Sequence, residues 1–109
     1  MRTLKFIVED QIVRPDPNCN FSGLVPGTKG YLQAEFSFSD AWAGCTKVVG
    51  FYSMMGREYT PQILRDGKTC VIPAEACVKS QFKLRVLGMR GSDTLTTNKS
   101  VINQNGGRA

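Results

Sequence analysis

The chain contains no histidine, and that one absence removes both the commonest general base near neutral pH and the commonest metal ligand. Catalysis would then fall to cysteines or carboxylates. A cysteine nucleophile needs a lowered pKa and a base beside it, and none of Cys19, Cys45, Cys70 and Cys77 stands in a recognisable catalytic signature. No two of them form the Cys-x-x-Cys pair of a structural zinc site, and four thiols so scattered do not make a disulfide scaffold. They read as buried or half-buried free thiols of a chain made in a reducing cytosol, with a Cys70–Cys77 pairing across a turn as the minority alternative. The carboxylates Glu35, Asp40, Glu58 and Glu75 are separated by turns, and Glu35 lies on the polar side of its strand. They read as solvated charge rather than as an acid–base pair. Gly88 and Gly91 surround Met89-Arg90 in a hairpin pattern, not at the strand-to-helix junction of a phosphate loop. These residues predict no enzyme, no cofactor, no metal and no small-molecule substrate.

What remains is recognition by surface. Fourteen Lys and Arg against nine Asp and Glu give a net charge of +5, which permits an acidic partner. The basic residues are spread without a run, so a solvated face explains them at least as well. Lys83 and Arg85 project from the same outward side of one strand, and with Arg90, and Lys79 or Lys99, they define a candidate basic surface. No aromatics interleave with them to stack bases, which argues against nucleic acid. Trp42 sits among Ala41, Ala43 and Gly44 and reads as a plug closing one end of the core rather than as a ligand platform. Tyr52 and Tyr59 suit half-burial or a binding surface.

The elements that must position these residues are strands. Leu32, Ala34, Phe36 and Phe38 alternate with Gln33, Glu35 and Ser37; Phe82, Leu84 and Val86 alternate with Lys83 and Arg85; and Thr3 to Val8 has the same period. Further strands are predicted over Lys47–Tyr52, apolar on both faces and so central, and over Glu58–Leu64, Thr69–Ile72 and Thr94–Ile102. Turn signals separate them at Pro15-Asp16-Pro17-Asn18, Pro26-Gly27, Asp66-Gly67 and Gly91-Ser92-Asp93, with Asp66-Gly67 read as a tight hairpin. Short helical turns are expected at Ser39–Trp42 and Pro73–Ala76. With 109 residues this is one domain over residues 1–109 with a flexible end from about 104. No stretch is apolar enough to span a membrane and no secretory core opens the chain, so a soluble protein is expected. About seven short strands at spacings near ten residues predict an all-β fold, a single antiparallel β-sandwich, although a closed barrel would give a similar pattern.

The order of motifs is more specific than any one of them. Leu4-Lys5-Phe6-Ile7-Val8-Glu9 is followed by Tyr31–Ser39 and Trp42, then by Lys47-Val48-Val49-Gly50-Phe51, Gly67–Glu75, Phe82–Gly88 and Leu95–Asn98. This succession resembles the small N-terminal domain of phage baseplate upper and tail-fibre proteins and related virion structural proteins, over residues 3 to 104. The resemblance implies an immunoglobulin-like sandwich and a virion protein that docks a baseplate, tail-fibre or head-fibre decoration by protein–protein contact with other virion proteins, usually as a homo-oligomer. Two departures stand out. Ala74 follows the proline where a large aromatic is typical, and the sequence stops at Asn105-Gly106-Gly107-Arg108-Ala109 where a long fibre region is usual, which leaves a free-standing decoration protein and a domain excised from a longer one both open. A small phage-encoded binder of a host protein is the alternative, and a basic nucleic-acid-binding module a weaker third. Docking by strand addition at an exposed sheet edge is the expected mode.

Overall fold

The computed structural model describes residues 1–105. The strands are β1 (Arg2–Glu9), β2 (Ile12–Pro15), β3 (Leu32–Phe38), β4 (Thr46–Tyr52), β5 (Gln62–Ile63), β6 (Thr69–Val71), β7 (Gln81–Arg90), β8 (Asp93–Thr96) and β9 (Ser100–Asn103). One sheet runs β2-β1-β3-β6. The other runs β5-β4-β7, with β8 and β9 sharing the far side of β7. The chain is an all-β, two-sheet sandwich.

Alternation along the strands builds its interior. Leu4, Phe6, Val8, Leu32, Ala34 and Phe36 of the first sheet are buried, as are Val49, Phe51, Phe82, Leu84, Val86 and Ile102 of the second. Each large side chain so removed from water contributes roughly 1.5–3 kcal/mol before entropy is counted. Phe6 and Phe36 lie on paired strands and stack at 5.3 Å with their rings 21° apart.

Several elements depart from the sequence expectation, each for an identifiable reason. β1 pairs with β3 in parallel, in register from Arg2↔Leu32 to Val8↔Phe38, so the first sheet is mixed rather than wholly antiparallel. The long path between them, through β2 and residues 16–31, supplies the crossover that a parallel pair requires. Asp66-Gly67 does not close a hairpin: β5 belongs to the second sheet and β6 to the first, so this turn carries the chain across the sandwich. Glu58–Leu64 contracts to the two residues of β5 and an isolated bridge between Glu58 and Tyr52. Pro61, between them, has no N–H to give a ladder. Thr94–Ile102 breaks into β8 and β9 because Thr97 turns its hydroxyl to accept the Val86 N–H at 3.0 Å. The Met89-Arg90 hairpin turns at Gly91, φ +61°, while Gly88 lies within β7. Asp40–Trp42 forms a single 3₁₀ turn after Ser39, whereas Pro73–Cys77 makes only successive turns.

The flexible end expected from about residue 104 begins at a residue packed into the fold. Gln104 is fully buried, its amide donating to the carbonyls of Cys77 and Lys79 at 3.2 and 2.9 Å. The rest of that expectation, residues 106–109, lies outside the described residues.

The break at Thr97 has a second consequence, because it throws Asn98 across to the other sheet. Its side-chain oxygen accepts the Val13 N–H at 2.7 Å, and its own N–H donates to the Gln11 carbonyl at 3.1 Å. The β2 edge is therefore capped by a side chain from the opposite sheet, and β5 meets β6 across the other seam. Asn98→Ala should cost about 1 kcal/mol, the net worth of one such bond, and hydrogen exchange should accelerate at Val13 before it does in β7.

Asp66 holds the crossing turn. Its carboxylate accepts the Thr69 hydroxyl and the backbone N–H groups of Lys68 and Thr69. Those bonds, the Thr69 hydroxyl foremost, lower its pKa from 3.8 to about 2. Because the folded value lies below the unfolded one, the contribution is complete above the unfolded pKa and disappears as pH falls through the folded one. Wild-type melting temperature should decline between these two values, and Asp66→Asn should flatten that part of the profile.

Candidate docking face

The outer face of the second sheet gathers residues that the sequence scatters. Cross-strand register places Val48 beside Ile63 and Leu87, Gly50 beside Arg85, and Tyr52 beside Lys83. On the far side of β7, Lys83 faces Val101 and Met89 faces Thr94. Alternate residues of these strands are buried inward, so this set points to solvent. Ile63, Met89 and Val101 are 51%, 46% and 40% exposed, which makes the face part apolar and part cationic.

Tyr52 organises the cationic part. A Cβ on Gly50 would lie 2.5 Å from the Tyr52 hydroxyl, so only glycine there lets the phenol lie back along its own strand. Arg85 donates from Nε to the Tyr52 hydroxyl at 2.9 Å, its guanidinium carbon is 5.4 Å from the ring centroid, and the Lys99 ammonium is 4.2 Å from it. Both cations find the ring's negative π face. The ring is only 5% exposed beneath them. Lys83 stands opposite Tyr52 on β7.

The predicted basic surface is thus divided. Lys83 and Arg85 share the face, and Lys99 joins them through the tyrosine. Arg90 does not: it has the inward parity of β7, beyond the end of the core, and its guanidinium donates to the carbonyls of Ala41 and Ala43 at 3.4 and 2.8 Å. There it braces the turn that carries Trp42. Trp42 is fully buried, packs on Phe38 at 5.3 Å, and donates from its indole N–H to the Asp10 carbonyl at 2.8 Å. It belongs to the interior and not to the face. The aromatic anchor of the cations went unassigned in the sequence because its neighbour Gly50 gives no sign, in one dimension, of lying under a ring.

The other outer face differs in charge. There Lys5 and Arg14 are accompanied by Glu9 and Glu35, and Arg14 pairs with Glu9 at 2.6 Å, the only salt bridge among the described residues. The four cysteines are free thiols. Burial, with the nearby Asp66 charge, pushes the Cys70 thiol up to about 12, and burial also raises Cys77. Cys19 accepts the Lys5 N–H at 3.4 Å where β2 has ended. The surface also carries an open groove of about 480 Å³ between Phe21, Leu24 and Val101, and one of about 250 Å³ between Met54, Met55 and Lys79.

The fold and this face define a β-sandwich with one mixed apolar and cationic sheet surface. Comparisons with protein-family models, curated protein sequences and solved structures find no match to this chain.

Proposed function

We propose that the chain is a docking module without catalytic chemistry of its own, and that it recognises another protein through the outer face of the β5-β4-β7 sheet. The observation that carries this reading is the placement of Ile63, Leu87, Met89 and Val101 on the same rigid sheet surface as Lys83, Arg85 and Lys99. Apolar area contributes free energy on association, and neighbouring charge selects the partner and its orientation. Edge addition is the weaker mode. The edge strands are two to four residues long, Asn98 caps β2, and β5 abuts β6. Short or covered edges resist augmentation.

The setting proposed for this docking is a phage virion, where the chain would act as a structural or adaptor protein of a baseplate, tail fibre or head decoration, self-associated and bound to other virion proteins. The succession of strand motifs supports that setting. Mass spectrometry of purified particles should find the chain at a fixed copy number, and Ile63→Asp with Met89→Asp should remove it from particles while leaving it folded. Absence of the wild-type chain from particles would defeat the virion setting. Undiminished incorporation of the folded double variant would defeat the choice of face. A binder of a host protein is the outcome in which wild-type chain is missing from particles and captures one host protein stoichiometrically through these same residues.

A further inference from the structure

We propose that the cluster of Arg85, Lys99, Lys83 and Tyr52 is a receptor for carboxylates, so that the partner presents Asp or Glu side chains at this end of the face. The inference rests on the docking reading and adds the chemistry of the partner.

Three cations converge on one side of the sheet without a salt bridge to any of them among the described residues. Register explains the crowding. Lys83 and Arg85 are alternate residues of β7, Lys83 stands opposite Tyr52, and Lys99 leaves the break between β8 and β9 to reach the same ring. Like charges held on neighbouring positions repel, and a carboxylate arriving among them relieves that repulsion. The hydrogen bonds point the same way. Arg85 spends Nε on Tyr52 and makes no other side-chain bond among the described residues, so its terminal nitrogens remain to grip a carboxylate. The tyrosine oxygen accepts from Arg85, and its own proton has no acceptor among the described residues. Gly50 permits the arrangement, because the phenol lies where any side chain at that position would be.

The same geometry selects protein over nucleic acid. A single-stranded ligand would need an open ring on which to stack its bases, and the Tyr52 ring is covered by the cations it anchors. The flanks are Leu87, Met89 and Val101, which suit side chains of a protein partner better than a sugar–phosphate backbone.

The test is a titration of the isotope-labelled full chain with an oligoglutamate peptide and, in parallel, with oligothymidylate, followed by amide shifts. Oligoglutamate should move Tyr52, Lys83, Arg85 and Lys99 ahead of Lys5 and Arg14 on the opposite face. Arg85→Gln should weaken it about tenfold, as expected for loss of a charge-assisted bond, Tyr52→Phe should weaken it less, and Lys5→Gln should leave it unchanged. Shifts spread evenly over all basic residues, or tighter binding of oligothymidylate at this cluster, would overturn the proposal. In particles, a folded variant combining Lys83→Gln, Arg85→Gln and Lys99→Gln should lose its place. If it is retained at the wild-type copy number, the carboxylate receptor is wrong while docking itself stands; if the wild-type chain is absent, the underlying reading has failed instead.

Discussion

Trp42→Ala should lower the unfolding free energy by about 3–5 kcal/mol, the range for emptying a large aromatic site in a core. A domain of this size has a total of roughly 5–15 kcal/mol, so the variant should sit near the edge of folding at 37 °C. The magnitude follows from what the ring touches. It is fully buried, packs on Phe38, and lies flat enough on β7 that a Cβ at Gly88 would approach its Cζ3 to 2.7 Å and the Cys45 Cβ to 3.2 Å. Its N–H also satisfies the carbonyl of Asp10, a residue held at φ +50° in the β1–β2 turn. Removing the indole therefore opens a cavity and loosens that turn together. Gly88 gives the control. Gly88→Ala should cost about 1–3 kcal/mol by overpacking in the wild type and much less in Trp42→Ala, where the ring it strikes is gone. Urea denaturation of the four proteins in a double-mutant cycle measures that coupling. Strict additivity, or a loss below about 1 kcal/mol for Trp42→Ala, would show that the ring is not the plug described.

Sequence and structure agree best where a pattern is local. Leu32 to Phe38 and Phe82 to Val86 form strands with the predicted inward side chains because a period of two is set by the backbone itself. The same pattern could not say which strands pair. β1 lies parallel to β3 and the Asp66 turn changes sheets, and both depend on the path of the whole chain rather than on the residues at the turn. β2 escaped notice because its four residues alternate only once and end at Pro15. The docking face was half legible. Lys83 and Arg85 carry their orientation in their spacing, whereas Lys99 and Tyr52 join them only through pairing of β4 and β9 with β7. Arg90 lies apart from Lys83 and Arg85 because an odd number of positions along a strand reverses the side a residue faces.

Gln104→Ala should cost about 2–4 kcal/mol, a large loss for a residue so near the end of the chain. Its amide nitrogen serves two carbonyls, of Cys77 and Lys79, and its backbone N–H donates to Ser80 at 2.6 Å, so it fastens the end of β9 to the segment leading into β7. Cys77 keeps a second donor in the Gly27 N–H, but the Lys79 carbonyl has none besides Gln104 among the described residues, and an acceptor left bare costs about 1–3 kcal/mol beside the cavity. The side-chain oxygen of Gln104 is itself buried without a partner among the described residues. Gln104→Met, which fills the space and deletes that stranded oxygen, should therefore cost less than Gln104→Ala. Gln104→Glu separates packing from polarity. A carboxylate there would face two carbonyl oxygens out of water, so its folded pKa should rise above the unfolded value of about 4.3. The native state then binds more protons than the unfolded one between those two values, and stability falls as pH rises through the interval. Melting curves of Gln104→Glu should drop on going from about pH 4 to about pH 7 relative to Gln104→Met. A parallel response of the two variants would mean that residue 104 is open to water and that the chain end is not anchored through it.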